Sequence, residues 1–307
     1  MDPLIATIVF VFGLVFGSFL NVCIYRLPRE QSVVAPRSAC PRCGHLIRWY
    51  DNVPVFSWLI LRARCRDCGA PISPRYAAVE LLTGLLFLAC YARFGWDLET
   101  LKYCILSFLL TGLIFTDAET KLLPDALTIP GFIIGLLFSL IVPMNDVVTR
   151  VAPAVTSLSN PQEHLRLLSF IDASVGAALG AGFIYLAGAA YKLVRGTFGM
   201  GFGDIKLMAM VGAFLGAKLT LLTLFGASIL GSIIGLGIIP AVWAKRTRRR
   251  IKRAHEPATV ARRKAWESAR KVWRYYEMPF GVSLGSIALL AVFFGNDLLA
   301  WYWGRFL

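Results

Sequence analysis

Two aspartates, Asp117 and Asp204, stand at the ends of apolar segments that lie far apart in the sequence. Asp117 closes the apolar run 101–116, and Asp204 lies in the glycine-rich stretch 201–206, just before another apolar run. A carboxylate at a membrane boundary carries a desolvation penalty and is usually retained for ion transfer, proton transfer or hydrolysis. Two carboxylates on one side of a membrane protein suggest a catalytic pair, in which an ionised group activates water and a protonated group donates to a carbonyl oxygen.

The residue types alone leave other interpretations of these acids open. The two aspartates could lie in a solvated interface or cap helices, since Asp is common at a helix start. Asp125, which follows Leu-Leu-Pro, is expected to begin a helix, and Glu80 and Asp51 have no assigned role. A proton-coupled transporter would require acids deep inside the spans, and most apolar runs contain none. A binding or assembly protein would tolerate Asp204→Asn, whereas an enzyme that uses the carboxylate pair would not.

Four of the seven cysteines form two C-x-x-C pairs, Cys40/Cys43 and Cys65/Cys68, which are separated by 21 residues. This spacing predicts a tetrahedral four-cysteine zinc site, in which two short turns hold one ion. Four thiolates leave no open coordination position, so the zinc would be structural and would supply folding energy to a segment too small for much of a core. Two disulfides are the alternative, although a reducing cytoplasmic loop disfavours them. His45 is expected at the surface rather than as a ligand.

The composition indicates the class of protein. Of the 307 residues, 57% are hydrophobic and 16% are charged, and the mean hydropathy is +0.64. We therefore expect a polytopic membrane protein rather than a soluble domain. The net charge of +14 does not indicate nucleic-acid binding, because the basic residues fall into two blocks between apolar runs, as in cytoplasmic membrane loops. The first apolar run has no basic region before it and no small-residue cleavage site after it, so it is expected to be a retained span.

The apolar runs predict an all-α fold with about eight transmembrane helices. The predicted spans are Leu4–Val22, Ala78–Tyr91, Leu101–Thr116, Leu127–Val142, Ala173–Val194, Leu207–Ala217, Leu219–Trp243 and Phe280–Phe294. Lys218 is predicted to mark the turn between the sixth and seventh spans. The predicted organisation is a first span at 1–25, a small cytoplasmic zinc-binding domain at 26–77 and a transmembrane domain at 78–307.

The basic residues predict how the chain is oriented in the membrane. Arg26–Arg75 holds nine arginines, and Lys245–Glu277 holds 13 Lys/Arg against three Glu. With eight spans, an outside N-terminus puts both segments in the cytoplasm and the weakly charged Asn145–Leu168 outside. The same count places Asp117 and Asp204 on the cytoplasmic side. The basic loop 245–277 is also predicted to contact membrane lipids through their anionic headgroups, with a solvated loop as the alternative.

An ordered set of short motifs covers most of the chain. They are Gly17-Ser-Phe-Leu-Asn21 with Arg26-Leu-Pro28, the Cys40/Cys43 pair with Asp51-Asn-Val-Pro54, Ser57-Trp-Leu59, the Cys65/Cys68 pair with Ile72-Ser-Pro-Arg-Tyr76 and Glu80, Asp117 with Leu123-Pro-Asp125, and Gly201-Phe-Gly-Asp-Ile-Lys-Leu207 with Gly212-Ala-Phe-Leu-Gly216. Together they resemble the bacterial type IV prepilin peptidases, the bifunctional leader peptidases and N-methyltransferases of type IV pilus and type II secretion systems.

This resemblance implies a function and assigns residues to it. In that family the aspartate ahead of Leu-Pro-Asp and the aspartate of G-x-G-D are the catalytic pair, which here are Asp117 and Asp204. The substrate would be a prepilin or pseudopilin, cut after a glycine that ends a short basic leader, on the cytoplasmic face of the inner membrane. The new N-terminal residue would then be methylated with S-adenosylmethionine as donor, for which no binding residue is identified. One departure from the family pattern, Pro-Phe-Gly-Val at 279–282 in place of Pro-Phe-Gly-Pro, leaves the catalytic motifs unchanged.

Overall fold

The computed structural model describes residues 1–144, 146–147, 164–196, 199–254, 257–275 and 279–306. Its helices are α1 (Pro3–Arg26), α2 (Phe56–Ile60), α3 (Pro74–Phe94), α4 (Leu98–Thr120), α5 (Asp125–Ile141), α6 (Leu165–Arg195), α7 (Phe202–Ala254), α8 (Ala258–Tyr275), α9 (Phe280–Leu290) and α10 (Asn296–Phe306). Short 3₁₀ turns lie at Leu27–Arg29 and Trp49–Asn52, and a π-helical turn at Ala291–Gly295 joins α9 to α10. The described ranges contain no β-strand. The predicted all-α class is confirmed.

Among the described residues, six helical segments are long and apolar enough to cross a membrane, namely those containing α1, α3, α4, α6, α7 and the continuous stretch Phe280–Arg305. α5 is also apolar but shorter, with 17 residues. α7 contains a break at Gly216, where φ is 76° and ψ is −179°. The predicted sixth and seventh spans are the two parts of α7 on either side of this break. Each of the eight predicted spans therefore corresponds to a helical segment of the structure, as expected for a polytopic membrane protein.

The break in α7 lies at Gly216 and not at Lys218, where the sequence analysis put the turn. Glycine adopts a positive φ without steric penalty, and a Cβ at this position would lie 2.3 Å from Oδ2 of Asp146. The same carboxylate oxygen accepts a hydrogen bond from the backbone N–H of Lys218 (3.1 Å). The chain reverses direction here, since Met208 and Thr220, on opposite sides of the break, both lie against Gly180.

Glycines let α6 pack closely against α7. A Cβ on Gly212 would lie 2.2 Å from the carbonyl oxygen of Gly176, and a Cβ on Gly180 would lie 2.5 Å from that of Met208. Membrane helices commonly associate in this way, because small residues let the two backbones approach each other. The first part of α7, which begins beside Asp204, is thereby fixed in the centre of the helix bundle.

The basic loop 245–277 is largely helical where the structure describes it. α7 continues past its apolar part to Ala254, and α8 packs back against it. Three alanines of α8 at four-residue spacing are fully buried or nearly so: Ala261, Ala265 and Ala269. The indole Nε1 of Trp243 donates a hydrogen bond to the carbonyl oxygen of Arg262 (3.1 Å). The described part of this loop is thus a basic helical hairpin, and its contact with lipid headgroups stays a prediction.

Parts of the predicted loops lie outside the described residues. These are residues 255–256 and 276–277 of the basic loop, and 145 and 148–163 of the segment predicted to face outside. The predicted domain boundaries at 25/26 and 77/78 fall close to the end of α1 at Arg26 and the beginning of α3 at Pro74. They stay a prediction.

Candidate active site and metal centre

Asp117 lies in the last turn of α4 and is buried. Its Oδ2 accepts a hydrogen bond from the backbone N–H of Val282 in α9 (3.0 Å). Gly281 packs directly on the carboxylate, since a Cβ there would lie 2.9 Å from Oδ2. α4 ends immediately afterwards, where the N–H of Lys121 donates to the Asp117 carbonyl oxygen (2.9 Å) and Lys121 takes a left-handed conformation. The carboxylate is therefore fixed between two helices that are distant in sequence.

Asp204 lies in the first turn of α7, where its backbone N–H donates to the carbonyl oxygen of Gly201 (3.1 Å). Neither glycine of Gly201-Phe-Gly203 places a side chain next to the carboxylate. Gly203 instead packs against Leu123, because a Cβ on Gly203 would lie 2.9 Å from the Leu123 Cβ. This contact brings the start of α7 to the loop between α4 and α5, which follows Asp117.

Both carboxylates line one cleft of about 240 Å³. Its other lining residues come from the α4–α5 loop and the start of α7: Lys121, Leu122, Leu123, Asp125, Gly201, Phe202 and Gly203. The two aspartates, predicted from the sequence to share one side of the membrane, lie at the same end of the bundle and in the same cleft. The cleft therefore brings two ionisable acids together at one end of the bundle.

An ion pair that the sequence analysis did not predict lies at the edge of this cleft. Nζ of Lys206 lies 2.7 Å from both carboxylate oxygens of Asp125. Asp125 is the first residue of α5, as expected, and its side chain also connects the start of α5 to the start of α7. A second ion pair, between Arg75 and Glu119, connects the start of α3 to the last turn of α4. These partners are distant in sequence, so no local pattern indicates them.

The four cysteines predicted as metal ligands come together in the structure. Their sulfur atoms all lie within 4.8 Å of one another, although Cys43 and Cys65 are separated by 21 residues. Two similar turns position them. The N–H of Cys40 donates to the carbonyl oxygen of His45 (2.9 Å), the N–H of Cys65 donates to that of Ala70 (2.8 Å), and a glycine with positive φ follows each pair. The backbone N–H groups of Cys43 and then Arg42 lower the pKa of the Cys40 thiol to about 6.

The geometry of this cluster fits a tetrahedral metal ion. Four sulfurs about 2.3 Å from a central zinc would lie about 3.8 Å from one another. The Sγ atoms of Cys40 and Cys68 are 3.8 Å apart. His45, which was expected at the surface, is exposed. The four-cysteine cluster can therefore hold a metal with all its coordination positions filled by protein.

The two acids left undecided by the sequence have structural partners. Asp51 makes a bidentate ion pair with Arg66, with oxygen–nitrogen distances of 2.6 and 2.8 Å, and this guanidinium lowers the pKa of the carboxyl. Glu80 accepts a hydrogen bond from the backbone N–H of Val55 (2.7 Å). Neither acid is among the residues that line the cleft.

These features define a class: polytopic helical membrane proteins with a pair of carboxylates at one end of the bundle and a separate four-cysteine segment. Comparison with known proteins identifies the family. Residues 11–94 match the bacterial peptidase A24 N-terminal domain, and residues 104–236 match the type IV leader peptidase family. The chain belongs to the type IV leader peptidase family.

Three relatives, each named prepilin leader peptidase/N-methyltransferase, show how far the similarity extends. The chain is 43% identical to the protein of Myxococcus xanthus, over 76% of this chain and 63% of that protein. It is 33% identical to the protein of Aeromonas hydrophila, over 98% and 94% of the two chains. It is 34% identical to that of Neisseria gonorrhoeae, over 77% and 83%. No solved structure matches.

Proposed function

We propose that this chain is an aspartyl endopeptidase of the bacterial inner membrane. It removes the short basic leader of prepilins or pseudopilins on the cytoplasmic face, after a glycine, and then methylates the new N-terminal residue. The observation that carries the proposal is the single cleft lined by Asp117 and Asp204. The family and the names of its relatives support the substrate class and the second activity.

The proposed reaction follows from two carboxylates in one cleft. One ionised carboxylate takes a proton from a water molecule as the water attacks the carbonyl carbon of the scissile peptide bond, and the second carboxyl donates its proton to the carbonyl oxygen. The tetrahedral intermediate then collapses, and the departing amine takes a proton from the pair. Because such a pair titrates as a unit, the two roles belong to Asp117 and Asp204 jointly.

The surroundings of the two carboxylates suit this chemistry. The N–H of Val282 orients the Asp117 carboxylate before substrate binds, and preorganised groups of this kind lower the barrier without rearranging during the reaction. Gly201 lies beside the Asp204 carboxylate without a side chain, which leaves space for a substrate backbone to approach it.

The distribution of charge supports a cytoplasmic location of the cleft. Arg75, at the start of α3, pairs with Glu119, which is two residues from Asp117. The basic helical hairpin also lies at this end of the bundle, because Gly231 of α7 packs near Phe280, next to the residues that contact Asp117. Since Lys and Arg concentrate in cytoplasmic loops, we infer that this end faces the cytoplasm.

Zinc and S-adenosylmethionine are the cofactors we propose. Cys40, Cys43, Cys65 and Cys68 would hold the zinc, which would stabilise the fold of the segment and take no part in cleavage. S-adenosylmethionine would supply the methyl group. The methyltransferase activity rests on the names of the relatives, and we assign no residue to it.

The test is cleavage of a model prepilin in detergent by Asp117→Asn and Asp204→Asn, each made separately. Both changes are nearly isosteric, so we expect each to abolish cleavage while the melting temperature stays that of the wild type. The matched control is Asp97→Asn at the other end of α4, because asparagine caps a helix as well as aspartate does. If either cleft variant still cleaves at the wild-type rate, the paired-carboxylate mechanism is wrong.

The methyl transfer is tested on a pilin whose leader has already been removed. With a labelled methyl donor, the wild type and Asp204→Asn should both transfer label to the free N-terminus, because that reaction does not use the paired carboxylates. If the wild-type protein transfers no label, the methyltransferase half of the proposal is wrong and the peptidase half is unaffected.

A further inference from the structure

The short helix α2 leaves three large apolar side chains uncovered. Phe56, Leu59 and Ile60 are 61%, 58% and 74% exposed, and their spacing puts them on one face of the helix. The opposite face points into the protein, where Ser57 is buried and the indole of Trp58 donates to the carbonyl oxygen of Ile72 (3.3 Å). We call Phe56, Leu59 and Ile60 the apolar face of α2. In water such a contiguous patch marks an interaction site.

The position of α2 along the neighbouring helices indicates what covers this face. The residue just before α2, Val55, donates its backbone N–H to Glu80 (2.7 Å). Glu80 is six residues into α3, which corresponds to about 9 Å along the helix axis. α3 has 21 residues, about the number that crosses a hydrocarbon core of about 30 Å, and its charged Arg75 marks the cytoplasmic end. The start of α2 therefore lies level with the first two turns of α3, on the membrane side of the first residue of that helix.

The packing of α1 also places Glu80 well inside the cytoplasmic end of the bundle. Gly17 packs against Glu80, since a Cβ on Gly17 would lie 2.7 Å from the Glu80 Cα. Gly17 is nine residues before the end of α1 at Arg26, about 13 Å along the axis. The surface of the two spanning helices at this level is also apolar and exposed, as expected for contact with lipid, and includes Phe19 and Leu81 (46% and 42% exposed). The apolar face of α2 has the same chemistry as that surface, and the bond from Val55 to Glu80 holds its start close to the same level.

The backbone N–H groups at the start of α2 have hydrogen-bond partners within the protein. At membrane depth, irregular backbone is tolerated only where its polar groups have protein partners. The N–H of Val53 donates to the Ser57 hydroxyl, that of Val55 to Glu80 and that of Phe56 to the Pro54 carbonyl oxygen. Val55 has φ 62° and ψ −49°, a conformation that a β-branched residue rarely adopts, and the Glu80 carboxylate holds it there.

We propose that the apolar face of α2 is inserted in the cytoplasmic leaflet of the membrane and anchors the four-cysteine segment to the bilayer. This face contacts lipid, namely the part of the acyl chains that lies next to the headgroups. Trp49, 77% exposed in the adjacent 3₁₀ turn, is a residue type that concentrates at the headgroup level. The four-cysteine segment would then lie against the membrane surface beside α1 and α3, held by more than its two chain connections.

Site-specific photo-crosslinking of the full chain tests this proposal. p-Benzoylphenylalanine is introduced at Phe56 or at Ile60, and the protein is reconstituted in vesicles of phosphatidylethanolamine and phosphatidylglycerol. Both side chains are exposed, so the probe displaces no packed neighbour, and two positions guard against one variant that fails to fold. The control is the same probe at Arg42, which is exposed in the first cysteine turn of the same segment.

We expect irradiation to add the mass of one phospholipid at positions 56 and 60. The yield of this adduct at position 42 should be much lower. Equal lipid adducts at all three positions, or none at 56 and 60, would overturn the proposal. So would a predominant crosslink from 56 and 60 to a second copy of the chain, or to an added prepilin, because a protein would then be the occupant. None of these outcomes depends on the peptidase activity of the cleft.

Discussion

Gly281→Ala is the substitution that most directly tests how the cleft is held. The added Cβ would lie 2.9 Å from Oδ2 of Asp117 and 3.1 Å from its Cγ, whereas ordinary contacts begin at 3.4 Å. The carboxylate must therefore move by about 0.5 Å to reach ordinary contact, which would disturb its 3.0 Å hydrogen bond from the N–H of Val282. A misplacement of about 1 Å at a catalytic group typically reduces the rate about 100-fold.

We therefore expect Gly281→Ala to lower kcat/KM for leader cleavage by about 10- to 100-fold, or about 1.4 to 2.7 kcal/mol of transition-state stabilisation. Most of the loss should be in kcat, because the substitution displaces a reacting group and removes no contact to the substrate. The assay is the initial rate of cleavage of a model prepilin across a range of concentrations, with the melting temperature measured on the same preparation.

Gly182→Ala is the matched control. Gly182 is also in a membrane helix, but a Cβ there has no neighbour within 4 Å. Both substitutions replace a helical glycine by alanine, so the comparison limits the effect of helix propensity, which is at most about 1 kcal/mol. If Gly281→Ala is folded and cleaves as fast as Gly182→Ala, the Asp117 carboxylate is not positioned by this contact and the reasoning fails.

Two further predictions concern the edge of the cleft and the metal centre. Lys206→Met removes the ion pair with Asp125. The Lys206 side chain is 41% exposed and that of Asp125 57%, so the free energy of unfolding should change by less than about 1 kcal/mol. Cleavage should nevertheless slow several-fold, and Asp125→Asn should have the same effect. If the ion pair positions the cleft as a unit, the double variant should cleave no more slowly than either single variant. Additive losses of rate would contradict this shared role. Cys40→Ser should lower the zinc content measured by elemental analysis and speed proteolysis of the segment, while Cys104→Ser, in the buried part of α4, should leave both unchanged. Equal zinc in the two variants would rule out the four-cysteine site.

The parts of the site that follow local rules could be predicted from the sequence. The two C-x-x-C pairs at Cys40 and Cys65 and their spacing were sufficient to predict the cluster, because this pattern is typical of four-cysteine zinc sites. The common side of Asp117 and Asp204 followed from counting apolar runs and basic residues. Asp125 was correctly predicted as the first residue of a helix because Pro124 precedes it.

The remaining features depend on contacts between residues that are distant in sequence or on properties that hydropathy does not measure. Val282 binds Asp117 across 165 residues, and Val55 binds Glu80 across 25. Hydropathy ends a span where charges begin, but a helix can continue through charged residues, as α7 does to Ala254. The four-residue spacing of the buried alanines in α8 was a readable signal for the basic helical hairpin. The position of the break in α7 depends on Asp146, which accepts from the backbone beyond it.

The reversal of α7 at Gly216 makes the first part of that helix a lever. Asp204 lies 12 residues from the break, about 18 Å along the axis, so a tilt of only about 3° at Gly216 would move the carboxylate by about 1 Å. Such a displacement is as large as the tolerance of the proposed reaction. The glycine contacts between α6 and α7 oppose this tilt, because they hold the first part of α7 both close to the break at Gly216 and further along, at Met208. The separation of the two carboxylates is therefore set in part at the far side of the membrane, where substitutions would slow cleavage without touching the cleft.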